Sequence, residues 1–206
     1  MAPRAALILA GGRSSRMGRP KAWLPFGPER LLQRVVRLMS TAADIVVVVA
    51  APDQVLPDLP ASVRVVLDPA PGQGPLAGLA TGLAHLPGTV DLVHATATDT
   101  PFLIPGWYTE LAGQIGTADL IMPRLDGRLH PLAAVYRRRP TLVAATGMLA
   151  AGQMRLMGLL EQVSGRVIDA HDLARVDPAL QTLRNLNTWA DYRQALFDAG
   201  LADPGP

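Results

Sequence analysis

Apolar residues fall along the chain in short runs separated by glycine, proline or aspartate. Ala5–Ala10, Asp44–Ala50, Val63–Leu67 and Val90–Thr98 are rich in β-branched or small apolar residues, which predicts strands. The Val46–Val49 run is apolar on both faces, as a central parallel strand must be. Between these runs, Glu29–Met39, Pro75–Leu86 and Pro105–Ile115 carry apolar residues at helical spacing. Strand alternating with helix predicts a parallel sheet covered on both faces. Further along, Ala118–Pro123 predicts another strand, and Leu125-Asp126-Gly127-Arg128 has the turn chemistry of a hairpin leading into His130–Tyr136. Pro140–Ala150 and Trp189–Ala199 predict two more helices, and Leu201–Pro206 a frayed tail. No internal repeat, low-complexity segment or linker divides the 206 residues, so residues 1–206 are expected to form a single domain.

Composition narrows the function classes. At 49% apolar residues the chain can bury a core, which excludes disorder. Nineteen basic and 17 acidic side chains leave a formal charge of +2 with no long basic stripe, so no nucleic-acid partner is expected. The absence of cysteine excludes a disulfide framework, a thiol nucleophile and a thiolate metal site. The histidines at 85, 94, 130 and 171 lack metal-ligand spacing, and no G-x-S-x-G is present. Ala5–Ala10 is shorter than the roughly 7–15 residues of a secretory apolar region and runs straight into arginines. The run Ile45–Pro52 falls far short of the roughly 20 residues of a membrane span. A soluble, cytoplasmic protein with no membrane partner is expected. The Arg137-Arg138-Arg139 run is expected at a solvated helix start, and the apolar residues from Met148 to Leu160 in the core.

Charge composition also picks out one residue. Of the 19 basic side chains, 18 are arginine and one is Lys21. Abundant alanine, glycine, proline and arginine fit a G+C-rich genome, in which exposed lysines drift to arginine; a lysine that persists has a reason. Lys21 ends the loop after the first predicted strand, Gly11-Gly12-Arg13-Ser14-Ser15-Arg16-Met17-Gly18-Arg19-Pro20-Lys21. Loops at the carboxyl ends of parallel strands are where open α/β sheets bind ligands. This one has glycines that expose backbone N–H groups, three arginines, a lysine and no carboxylate, the chemistry of a polyanion site. It is not a P-loop, because Arg19 follows Gly18, and not a dinucleotide fingerprint, because Arg13 stands at the second glycine position. Pro20 is expected to hold Lys21 on a fixed segment. The bland alternative is a glycine-rich turn with solvated arginines.

Residues Leu7 to Lys21 resemble the L-A-G-G-x-x-x-R-M-G-x-x-K signature of a nucleotidyltransferase family, and within it are most similar to the molybdenum cofactor guanylyltransferases. The resemblance extends in order through Asp68, Gly74-Pro75-Leu76-Ala77-Gly78 and Thr98-Asp99-Thr100-Pro101, where Thr98 stands in place of the family's cysteine, and reaches about Tyr192. It implies a three-layer α/β fold, with a Rossmann-like, mostly parallel sheet of the nucleotide-diphospho-sugar transferase type. It also implies GTP contacts at Leu9, Ala10, Gly11, Gly12, Arg16, Lys21, Asp68, Gly74, Pro75, Leu76 and Asp99. Lys21, Arg16 and Asp99 would be the catalytic residues, with Asp99 holding Mg2+. Read without the resemblance, Asp99 serves equally as the N-cap of the next turn, and Gly82 as a point of close helix–sheet packing.

In the second half, His130 beside Pro131, Arg155, and Asn185 with Asn187 resemble the elements that meet the pterin acceptor. Asn185 and Asn187 share one face if the segment is extended. The implied division is a GTP-binding part of about 1–104, an acceptor-binding part of about 105–200 and a tail of 201–206. The implied reaction is transfer of GMP from GTP to the terminal phosphate of molybdenum-loaded molybdopterin, with molybdenum-insertion or molybdoenzyme-delivery proteins as partners. Two alternatives stay open: a cytidylyltransferase or other nucleotidyltransferase of the same fold, and a non-catalytic nucleotide-binding relative. One departure bears on the base: where the family has an asparagine after the second strand, this chain has Ala51-Pro52-Asp53, with Asp53 as the candidate replacement.

Overall fold

The chain passes into its core almost at once. In the computed structural model, which describes residues 3–11, 18–69, 72–203 and 205, the first strand β1 (Ala5–Leu9) is buried along its whole length. There follow β2 (Pro25–Phe26), β3 (Glu29–Arg30), α1 (Leu31–Met39), β4 (Ile45–Ala50), β5 (Arg64–Leu67), α2 (Pro75–His85) and β6 (Leu92–Ala97). The second half adds α3 (Pro105–Gln114), β7 (Leu120–Leu125), β8 (Arg128–Leu129), β9 (Ala134–Arg137), α4 (Arg138–Ala150), α5 (Leu159–Gln162), β10 (Gly165–Asp169) and α6 (Trp189–Asp198).

The main sheet runs in the order β10-β7-β9-β6-β1-β4-β5, with β8 attached to β7. β1 pairs in parallel with β4 and β6, β4 with β5, and β7 with β10; β9 is antiparallel to both β6 and β7. This is the expected three-layer α/β arrangement. Alternate residues of the strands feed two cores. Leu7, Val47 and Val49 pack under α2 and α4, whereas Ala6, Ile8 and Val48 pack under α1 and α3. Burial of each Leu or Ile in such a core is worth about 1.5–3 kcal/mol relative to exposure. A third cluster joins α6 to the β2–β3 hairpin through Phe26, Leu31, Tyr192 and Leu196. Among the described residues no helix is long and apolar enough to cross a membrane.

Local chemistry explains most of the boundaries. Gly74 caps α2 at φ +79, a conformation suited to glycine, and Pro75 takes the first helical position. Asp126 and Gly127, both at positive φ, turn β7 into β8. At Gly82 an added Cβ would lie 2.8 Å from Leu7 Cδ1 and 3.1 Å from Val49 Cγ2, so α2 lies directly on the sheet there.

Several expectations are corrected. The helix expected over Glu29–Met39 starts at Leu31, because Glu29 and Arg30 pair with Phe26 and Pro25. The strand expected over His130–Tyr136 starts at Ala134, since Pro131 opens a single 3-10 turn. Arg137 is not on a helix: it ends β9 and pairs with Asp91, and of the three consecutive arginines only Arg139 is exposed. β10 has no counterpart in the apolar pattern; of its five residues only Ile168 is buried. In the tail, Leu201 is tied down, its N–H donating to the Leu196 carbonyl and its side chain packing on the third cluster. The apolar stretch from Met148 to Leu160 is core at Met148, Leu156 and Leu159 but exposed at Met154 and Met157.

Candidate active site

Because β1, β4, β5 and β6 are parallel neighbours, their carboxyl ends open on one side of the sheet, where a cavity of about 1260 Å3 lies. Its walls are Leu9, Ala10 and Gly11 at the end of β1, Ala51, Asp53 and Gln54 beyond β4, Asp68 beyond β5, and Gly74 and Pro75 at the start of α2. Asp99 beyond β6, Lys21 and Asn185 also face it.

Lys21 arrives on Pro20, which is extended at φ −62 and ψ 121, and begins a one-turn 3-10 helix over Lys21–Trp23. Its Nζ donates to Asp99 Oδ2 at 2.7 Å and to Asn187 Oδ1 at 3.4 Å. The other Asp99 oxygen accepts a hydrogen bond from Asn185 Nδ2 at 3.0 Å. Between the asparagines Leu186 is fully buried, and its N–H donates to the Asp99 carbonyl at 2.9 Å. The predicted alternation therefore holds: both side chains flank a buried leucine and turn to one place. They meet the Lys21–Asp99 pair. A turn closed by the Leu103 N–H on the Thr100 carbonyl does follow Asp99, but the Asp99 carboxylate oxygens accept from Lys21 and Asn185, which is not the expected cap of that turn.

The side chains of Lys21 and Asp99 are 20% and 14% exposed, so the pair is partly desolvated yet open to a ligand. Opposite charges in such a setting interact more strongly than in bulk water. Gly11 departs from expectation in one respect. Its N–H points to the Val49 carbonyl at 3.2 Å and is spent there, so it offers the cavity a bare backbone wall instead of a donor. The counterpart at Gly12, and Arg16 itself, lie outside the described residues.

The residues expected to meet an acceptor divide. Asn185 and Asn187 sit at the Lys21–Asp99 pair, whereas His130 and Arg155 are not on the cavity wall. His130 is half-buried; its own burial, reinforced by the nearby Arg128, lowers its pKa below the usual imidazole value. Leu132, two residues later, does line the cavity. Arg155 is exposed, and the carbonyl of its neighbour Met154 lies 3.6 Å from where a Gly74 Cβ would stand. Leu76 is fully buried in the core beneath the start of α2 instead of facing the cavity. Gln54, also on the wall, has no motif or spacing that marks it in the sequence.

The profile of the MobA-like NTP transferase domain matches residues 6–167. A protein described as a probable molybdenum cofactor guanylyltransferase, from Mycobacterium avium (strain 104), is 38% identical over 196 residues, covering 92% of this chain and 93% of that one. The chain belongs to the MobA-like nucleotidyltransferases. Among solved structures, molybdopterin-guanine dinucleotide biosynthesis protein A from Archaeoglobus fulgidus superposes with a TM-score of 0.79 at 21% identity, covering 96% of this chain and 98% of that one. The 2-C-methyl-D-erythritol 4-phosphate cytidylyltransferase of Thermus thermophilus superposes with a TM-score of 0.69 at 16% identity, covering 98% and 100%. Family membership makes the chain a nucleotidyltransferase, an enzyme class that generally acts with a divalent metal; the fold is shared with proteins named for a different nucleotide. The donors here fit such a metal in a particular way. Among the described residues no three His, Cys, Asp or Glu side chains converge. Asp53, Asp68 and Asp99 all line the cavity, each from a different strand end, and Asp99 stands beside Lys21; this suits a hard cation that takes one or two carboxylates together with substrate phosphates.

Proposed function

We propose that this nucleotidyltransferase moves GMP from GTP to the terminal phosphate of molybdopterin, in its molybdenum-loaded form, giving molybdopterin guanine dinucleotide and pyrophosphate. The observation that carries the reading is the Lys21–Asp99 pair at 2.7 Å, held by Asn185 at the mouth of parallel strands in a chain of this family. The name of the Mycobacterium avium relative supports the choice of base and acceptor.

In this reaction an oxygen of the acceptor phosphate bonds to the α-phosphorus of GTP. The bond from that phosphorus to the β-bridging oxygen breaks, and pyrophosphate leaves with its electrons. Such a transfer asks for positioning and charge neutralisation more than for an acid or base. Lys21 and Arg16 stabilise the triphosphate, Asp68 orients the nucleoside, Leu9, Ala10, Gly11, Gly74 and Pro75 form the wall against which it lies, and Gly12 contributes a further GTP contact. When nucleotide arrives, the Lys21 ammonium exchanges Asp99 for phosphate oxygens. The Asp99 carboxylate would then be the residue to hold Mg2+, which would supply further neutralisation of the phosphates. Asn185 keeps Asp99 aimed during the exchange. His130 and Arg155 serve the acceptor from beyond the cavity wall, so residues of about 105–200 meet the pterin, while those of about 1–104 handle GTP with Asn185 and Leu132 added to the cavity from the second half.

The test is pyrophosphate release with molybdopterin across GTP, CTP, ATP and UTP, with and without Mg2+. GTP- and Mg2+-dependent release with formation of the dinucleotide is expected. Preference for CTP would overturn the base assignment, and nucleotide binding without turnover would make the chain a non-catalytic relative.

A further inference from the structure

The peptide that leads from β1 into the phosphate loop is held at both ends. The N–H of Ala10 and that of Gly11 both donate to the Val49 carbonyl, at 2.8 and 3.2 Å. The Ala10 carbonyl accepts from Gln54 Nε2 at 2.9 Å, while Gln54 Oε1 accepts from the Ala51 N–H at 3.2 Å. Gln54 also closes its own turn, its N–H donating to the Ala51 carbonyl at 3.1 Å. One half-buried carboxamide thus joins the end of β1 to the turn after β4, on the cavity wall.

We infer that Gln54 is a positioning residue for the nucleotide: its carboxamide clamps the Ala10–Gly11 peptide so that no carbonyl oxygen turns into the cavity. A carbonyl oxygen carries partial negative charge; released from Gln54, the Ala10–Gly11 peptide on the cavity wall could rotate out of this arrangement and turn that charge towards a polyphosphate. With the carbonyl bound by Gln54 and the amide by Val49, a flip breaks two hydrogen bonds at once. A side chain that bonds only backbone can thereby set the affinity for an anion it need not touch. The inference rests on the cavity being a nucleotide site, as proposed above.

Equilibrium binding of a fluorescent GTP analogue to the full chain tests it, with thermal unfolding of each variant alongside. Gln54→Leu keeps the bulk and loses both bonds; its Kd is expected to rise about tenfold, the equivalent of one or two ordinary hydrogen bonds, while Tm stays within about 3 °C. Gln54→Glu keeps the acceptor for Ala51 and loses the donor to Ala10. At pH 8 its ionised carboxylate cannot donate to Ala10, so its Kd is expected to rise at least as much as that of Gln54→Leu. A Kd for Gln54→Leu within about twofold of wild type would overturn the inference, as would a loss that merely follows unfolding. Failure of the wild type to bind GTP would instead strike the proposed function, and the clamp would then be scored on whichever nucleotide binds.

Discussion

Lys21 and Asp99, 78 residues apart in sequence, form an ion pair at 2.7 Å across the mouth of the cavity. The chain's single lysine thus faces the carboxylate that ends the central strand region. Lysine suits this place because its ammonium is a compact charge on a flexible stem, able to leave a carboxylate for a phosphate. Arginine keeps the charge but would fork onto the carboxylate and hold it. Lys21→Arg is therefore expected to lower kcat/KM for GTP by about 100-fold, in the range seen when one transition-state donor is lost. Steady-state pyrophosphate release checks this. Unchanged activity would remove Lys21 from the proposed mechanism.

The two asparagines are expected to differ in weight. Asn185 donates to Asp99 at 3.0 Å, whereas the Lys21–Asn187 contact is longer, at 3.4 Å. Asn185→Ala should raise the concentration of Mg2+ needed for half-maximal rate by about tenfold, as loss of an outer-shell partner commonly does. Asn187→Ala should change it by less than about threefold, since a hydrogen bond near the distance limit is weak. Mg2+ titrations of pyrophosphate release separate the two; equal effects would contradict the geometry.

Two glycines on α2 offer a packing test. At Gly82 a methyl group would sit 2.8 and 2.9 Å from the two Leu7 Cδ atoms, in a fully buried core. Gly82→Ala is expected to cost about 1–3 kcal/mol by overpacking, more than the ~1 kcal/mol that alanine returns to a helix. Gly78 meets Leu9 Cδ2 at a gentler 3.3 Å but also lines the cavity. Gly78→Ala should leave stability nearly unchanged and raise KM for GTP. Urea unfolding and KM, measured on both variants, distinguish helix packing from ligand contact.

His94 is expected to make the fold sensitive to acid. It is buried in β6, stacked on Tyr108 with ring centroids 5.4 Å apart, and neither ring nitrogen has a hydrogen-bond partner among the described residues. Burial, with a smaller push from Arg4, lowers its pKa to about 4. The unfolded chain binds a proton there near pH 6.5 and the folded chain does not until about pH 4, so stability falls as pH drops through that window. Between pH 7 and 5 the loss from this residue is expected to be about 2 kcal/mol. His94→Phe keeps the stacking and removes the titration. Urea unfolding at both pH values should show a smaller drop for the variant than for the wild type; equal drops would exclude His94 as the source.

Local physics made much of the molecule legible in the sequence. β-branched runs announced β1, β4, β5 and β6, the Gly74-Pro75 pair announced the start of α2, and Asp126-Gly127 announced the β7–β8 turn, because each depends on the conformational preferences of adjacent residues. Charge and glycine content marked the loop ending on Lys21, and the order of motifs pointed to the family. β10 escaped because an exposed edge strand has little burial to write an apolar pattern. The reversed β9 beside β6 and β7 is likewise a matter of sheet closure that no short window encodes. Only the tertiary structure brought Asn185 and Asn187 to Asp99 and Lys21, across 86 and 166 residues of chain, and set Gln54 against Ala10, 44 residues away. Side-chain amides carry no periodicity and little composition signal. What they bond is decided by which strand ends the packed core places side by side.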